Sequence, residues 1–288
     1  MDWQSSARDF PTPKVTVKKP KINFLNLDPK HCAHSLTKKD KESLRSIRPV
    51  EYYHELWEDT HNPIIKNEIR SLRKAIASFN KTCYWIATEI CTQPEKSNRA
   101  LVISQSIKMA HVCFKLKNYN TALAIVSGLN VLAVSRLKQT WEAVDAKRLK
   151  QLEEMESFLS PLSNFKAYRS AMDQHIQSNT STPIVPILGI FVKDLIFMND
   201  GNPKFVAGQS EGTINFDKLR AIYTNVCRMV QLQRIAYPES LFQAVPSQVD
   251  GYLENMPVLK EDSLYKYSCL CEAKSDTLRL RDKWMKNP

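Results

Sequence analysis

The chain has 288 residues, 43% of them hydrophobic and 25% charged, a balance that suits a soluble globular protein with a sizeable core and excludes a low-complexity one. Six glycines are too few for the many tight positive-φ turns of an all-β protein, and no run of 18 apolar residues offers a membrane span. The net charge is +11, with eleven basic against five acidic residues in the first 50, so the N-terminus is either a solvated arm or a feature for an anionic partner: nucleic acid, lipid or acidic protein.

Residues 1–26 show no sustained period. Pro11, Pro13 and Pro20 stand among Lys14, Lys18, Lys19 and Lys21, which predicts a basic, extended segment without the apolar stretch of a signal peptide. Asp28-Pro29 then reads as an N-cap with proline at the first helical position. Thr37 is expected to cap a helix over 38–47, and Arg48-Pro49 to open VEYYHELW. Ile64, Ile65, Ile69, Leu72, Ile76, Phe79, Cys83, Ile86 and Ile90 keep a helical stripe, with a bend or junction expected at Phe79-Asn80. The next segment, 95–117, turns Leu101, Ile107, Ala110, Cys113 and Phe114 inward. After Asn118, the small apolar run YNTALAIVSGLNVL predicts a buried central helix in which Gly128 allows another helix to approach closely. A charged surface helix is expected over 146–159, and Ser163-Asn164 is expected to cap one over 165–174.

From Pro183 to Ala236 the pattern is that of a helical hairpin. Ile187–Phe197 is apolar except for Gly189, Lys193 and Asp194, too apolar all round for a surface helix. It stops at Asn199-Asp200-Gly201-Asn202-Pro203, and Asn215 is placed to cap a second arm. The first arm is either buried in its own domain or partly held for a partner. No strand and no repeat is evident, so the fold class is all-α, with a C-terminal basic tail over 273–288.

Catalytic chemistry is sparse. No GxxxxGK[ST] or GxGxxG pattern is present to cradle a nucleotide, no nucleophile elbow is expected, and no paired carboxylates stand out. His31-Cys32-Ala33-His34 lacks a second ligand pair at zinc spacing, so neither metal nor cofactor is expected. The seven cysteines, most inside apolar periodic runs, fit reduced, packed thiols and a cytoplasmic setting. Basic residues are not interleaved with aromatics in the manner of RNA binders, which argues against nucleic acid as the partner.

The segments FNKTCYWIATEI (79–90), NYNTALAIVSGLNVLAVSRLKQTW (118–141), SNFKAYRSA (163–171) and VPILGIFVKDLIFMNDGNP (185–203), in this order, resemble the catalytic domain of Ras-type guanine nucleotide exchange factors. HSLTKKDKESLRSIRPVEYYHELW is similar to that domain's opening helices, and the resemblance extends over roughly residues 27–272. It implies a single multi-helix bowl with a protruding helical hairpin that opens the nucleotide site of a Ras-, Rap- or Ral-type small GTPase. Such a protein speeds GDP loss and GTP loading without making a covalent bond, so it is not an enzyme in the bond-making sense. Binding at roughly picomolar strength is on the order of −16 kcal/mol, so the catalyst must stabilise the nucleotide-free GTPase instead.

Carried over from the family, the apolar wedge falls on Ile196 and the phosphate-competing carboxylate on Asp200, beside Gly201. Family members often have Leu and Glu at these two places. Asn130 and Ser135 fall at switch-contacting positions, Ser135 where some members have Tyr. Trp57, Asn164 and Lys193 complete the expected contact set. Asn80 and Trp85 belong to a motif read as structural, and Arg136 to one read as partly so. The shorter Asp200 and stiffer Ile196 leave a catalytically weak scaffold in small-GTPase signalling as the alternative. The basic N-terminus is expected to add contact with anionic membranes where such a GTPase is anchored.

Overall fold

The computed structural model describes residues 23–57, 69–178, 180–206 and 212–273. The N-terminal lysines at 14, 18, 19 and 21, the isoleucines at 64 and 65, and the tail beyond 273 lie outside the described residues, as does the side chain of Trp57. Among the described residues all extended elements are helical, and the only β pairing consists of two isolated bridges, Asn118 with Val185 and Phe205 with Ile214.

Helix α1 (Pro29–Ser46) starts as its sequence dictates: the Asp28 carboxylate accepts from Lys30 N at 2.8 Å, with proline at the first position. It is one continuous helix. Thr37 does not begin a new one; it is fully buried in the middle of α1 and accepts from Asn118 Nδ2. Helix α2 (Pro49–Trp57) is fixed by Glu51, whose buried carboxylate accepts from Arg48 N at 3.0 Å and from Leu72 N at 2.9 Å. One side chain thus caps α2 and the first turn of α3 (Arg70–Cys91). Helix α3 runs unbroken through Phe79-Asn80, so the expected bend is absent. Nothing in that sequence removes an i→i−4 hydrogen bond, which is what a kink needs. Trp85 on this helix is fully buried and donates to Glu89 Oε1, while Asn80 is exposed.

Helix α4 (Lys96–Lys115) and helix α5 (Tyr119–Asn130) pack with α3 as the centre of the domain. Leu101, expected inward, is 53% exposed, because the core face of α4 is carried by Val102, Ile103, Ile107, Ala110 and Cys113. Gly128 is the contact point of α5 with α3. A Cβ there would lie 2.5 Å from Cys83 O, so only glycine permits this approach. Short helices α6 (Leu132–Ser135) and α7 (Lys138–Glu142) lead to α8 (Ala146–Phe158).

Helix α9 (Lys166–Gln177) has no side-chain cap at its start. Ser163, Asn164 and Phe165 instead form a left-handed turn with φ of 53°, 54° and 57°. Three successive non-glycine residues in that region carry roughly 1–2 kcal/mol of strain each, which surrounding contacts must offset.

The hairpin consists of α10 (Leu188–Asp200) and α11 (Phe216–Arg234). The described residues end with α12 (Ser240–Gln243), α13 (Ser247–Glu254) and α14 (Glu261–Cys271). The buried apolar residues form two clusters. The larger is built on α1, α3, α4 and α5 and reaches Ile184, Ile187, Ile190 and Leu232 of the hairpin. The smaller joins Leu44, Ile47, Tyr52 and Leu72 to Val185, Leu188, Val192, Leu195, Ile222, Val226 and Met229, so the hairpin has a core largely of its own. The last helix is latched by polar contacts. Arg136 donates to Ser268 O and Glu272 O, and the Glu272 carboxylate accepts from Gln139 N, Thr140 N and Thr140 Oγ1.

Candidate functional site

The faces of α10 divide sharply. Leu188, Val192 and Leu195 are buried against α1, α2, α3 and α11, and half-buried Phe191 meets the Tyr52 ring edge-to-face at 5.1 Å. On the outer face Ile196 is 37% exposed and Asp200, one turn later, is also exposed. Lys193 is exposed and lies over the ring of Phe197 at 5.2 Å, and Phe197 itself is 61% exposed. The arm thus has a packed inner face and exposes isoleucine, phenylalanine, lysine and aspartate on the other.

The end of the arm is held firmly. The last carbonyls of a helix lack partners within it, and here they are met from outside. Lys218 Nζ donates to Asn199 O at 2.7 Å and to Asn202 O at 2.9 Å, Asn202 Nδ2 to Met198 O, and Gly201 N to Phe197 O. Asn215 caps α11 by accepting from Lys218 N, and its amide donates to Pro203 O. Val206 N to Thr213 O and Asn215 N to Lys204 O tie the two sides of the tip together. Asp200 therefore sits on a fixed turn, exposed, with Asn199 Nδ2 donating to its Oδ1 at 3.2 Å.

The opposite flank of the hairpin is clamped to α9. Arg169 donates to both oxygens of Asp194, at 2.6 and 2.8 Å, and to Asn164 O and Oδ1. The bidentate bond to Asp194 raises the Arg169 guanidinium above its ordinary value. The same contacts hold the left-handed turn at 163–165. Asn164, expected in the contact set, is thus engaged within the chain, and it lines an open cleft of about 540 Å³ with Arg169, Asp194, Phe197 and Asn225. Tyr168 OH accepts from Ile187 N, and burial raises its phenol, so it serves here as an acceptor at the hairpin's entry.

Asn130 and Ser135 are both exposed and share a second, shallow concavity of about 710 Å³ with Trp141, Leu149, Glu153 and Glu156. Asn130 Nδ2 donates to Glu156 Oε1 at 2.7 Å, which orients its amide. Glu156 and the Arg169–Asp194 pair escaped sequence reasoning. Each partner lies 25 or 26 residues away with no spacing rule to connect them; the one available signal was a lone aspartate in an apolar arm. Trp57 is the last residue of α2.

Among the described residues no group of three His, Cys, Asp or Glu could hold a metal ion. Burial lowers the His34 imidazole below its ordinary range. Residues Gly208-Gln209-Ser210-Glu211-Gly212 do spell a GxSxG pattern, contrary to the sequence expectation. They join two helices, whereas a nucleophile elbow joins a strand to a helix. Ser210 itself lies outside the described residues.

The family model described as the RasGEF domain matches residues 31–220. The chain is 30% identical over 282 residues to Ras guanine nucleotide exchange factor J of Dictyostelium discoideum, covering 96% of this chain and 33% of that protein. It is 34% identical over 221 residues to a Rap guanine nucleotide exchange factor of Caenorhabditis elegans, covering 77% and 14%. It is 30% identical over 267 residues to Ras-GEF domain-containing family member 1C of Macaca fascicularis, covering 89% and 55%. The chain spans from about a seventh to about half the length of these relatives. With four ordered motifs, an all-helical fold and a match over most of its length, the chain belongs to the RasGEF domain family.

Proposed function

We propose that this chain stimulates GDP release from a Ras-family small GTPase by inserting the α10 end of its hairpin at the nucleotide site. The observation that carries the reading is the pairing of Ile196 and Asp200, both exposed and one turn apart on an arm whose inner face is packed. In this reading Ile196 occupies the space of the Mg²⁺ ion and Asp200 competes with the phosphates for their binding groups. Asn130, Ser135 and Lys193 contact the GTPase around them. No bond is made or broken; each ~1.4 kcal/mol of added stabilisation of the nucleotide-free transition state gives about tenfold in rate. The basic N-terminus adds attraction to anionic membrane, a role that rests on its charge alone.

The test is release of fluorescent GDP from Ras, Rap and Ral proteins. Acceleration of at least one is expected, and Asp200→Arg is expected to suppress it by about tenfold or more. No acceleration across the panel would sink the proposal. Ile196 is β-branched, and Asp200 is a short carboxylate already bonded to Asn199. These features motivate a second reading, a scaffold, which would show as a stable GTPase complex without release.

A further inference from the structure

Apolar contacts hold the hairpin against the domain, but such contacts are not directional. Two packed clusters meet at its base and restrict the angle of the arm. Between the clusters lies a small polar layer. Lys41, in the middle of α1, is only 4% exposed. Its ammonium donates to Leu232 O at 2.6 Å and to Ile184 O at 3.3 Å. Leu232 O is in the last turn of α11, where carbonyls lack helical partners. Ile184 O lies just ahead of α10. One side chain of α1 therefore bonds to both roots of the hairpin. Gln233 provides the reciprocal tie: from α11 its amide donates to Leu44 O at 2.8 Å and Ile47 O at 3.1 Å, at the end of α1.

No carboxylate lies within ion-pair distance of Lys41 among the described residues. Its neighbour Asp40 is turned away, accepting from Thr121 Oγ1 and Asn120 Nδ2. A buried ammonium held by carbonyls alone is a poor device for stability, since a well-packed apolar side chain usually serves as well. What it supplies is direction: a donor with fixed bearings to two backbone points.

We propose that Lys41 and Gln233 are positioning residues that pin both roots of the hairpin to α1 and so fix the angle at which α10 presents Ile196 and Asp200. The activity consequence rests on the exchange-factor reading above; the structural consequence does not.

The test uses the whole chain with two variants, Lys41→Met and Gln233→Met, each of similar reach without the donor. Hydrogen exchange followed by mass spectrometry is expected to show α10 and α11 amides exchanging about tenfold faster or more, with α4 and α5 unchanged. With a responsive GTPase, the maximal rate of GDP release is expected to fall about tenfold while the half-saturating GTPase concentration stays within about twofold, because contacts away from the arm are intact. Unchanged protection of the hairpin in both variants would overturn the proposal. So would a loss of protection shared equally by α4 and α5, which is ordinary destabilisation. If Lys41→Met does not fold, Gln233→Met decides. If the unaltered chain acts on no GTPase, the exchange-factor reading falls and hydrogen exchange alone decides the pin.

Discussion

Replacing Gly128 by alanine sets two well-measured effects against each other. Helix propensity favours the change: glycine inside a helix is less stable than alanine by about 0.8–1.0 kcal/mol. Packing opposes it. The added Cβ would lie 2.5 Å from Cys83 O and 3.1 Å from Ile86 Cβ, where ordinary contact begins at 3.4 Å. The nearest atom is backbone in the middle of α3, so it cannot swing aside; α3 and α5 must separate by about 0.9 Å. Overpacking of this kind costs about 1–3 kcal/mol. Subtracting the propensity gain leaves a net loss of roughly 0–2 kcal/mol, so the close approach is expected to cancel or reverse the usual benefit. Gly189→Ala is the internal control. It lies in the first turn of α10, exposed, and nothing is within 4 Å of the added carbon. That variant is expected to gain up to about 1 kcal/mol. Denaturant unfolding of both, read at equal m-values, measures the difference. If Gly128→Ala proves as stabilising as Gly189→Ala, the argument for a glycine-specified crossing is wrong.

Two further expectations follow from the packing. Five of the seven cysteines are buried, and burial pushes the thiols up, Cys83 to about 11 and Cys32 to about 12, so at pH 8 a thiol reagent is expected to modify only half-buried Cys227 and Cys269 in the folded chain; rapid reaction of a third thiol without unfolding would contradict this. Arg169→Met removes the clamp on Asp194 and Asn164, and, with both ions about a third exposed, is expected to lower stability by only ~1 kcal/mol, less at high salt, measurable by denaturant unfolding at two ionic strengths; a loss independent of salt would mean that packing, not charge, holds that flank.

Helix starts were legible wherever a local rule decides them. Asp28-Pro29 and Asn215 cap as their sequences require. The hairpin arm could be read from its apolar run and its stop at Asp200. Expectations failed where a distant partner overrides the local signal. Thr37 looks like a cap, but Asn118 and the core claim it inside α1. Ser163-Asn164 looks like an N-cap pair, but Arg169 and Asp194 hold it in a left-handed turn. Leu101 carries no sign that α4 would turn it outward. The candidate site shares this limit. Ile196 and Asp200 could be placed by resemblance, whereas Lys41 reads as one more surface lysine until the carbonyls of Ile184 and Leu232 are seen around it.

The latch at Glu272 bears on the order in which the domain can be completed during synthesis. Thr140 and its neighbour Gln139 emerge from the ribosome about 130 residues before the carboxylate that accepts their hydrogen bonds. Until then, Gln139 N and the Arg136 guanidinium lack the partners that residues 268–272 supply, while Thr140 N has only Leu137 O. The segment carrying Asn130 and Ser135 therefore waits on the last helix for its final shape. The family match ends at residue 220, inside α11, but physical closure of the domain comes only with the turn that holds Glu272.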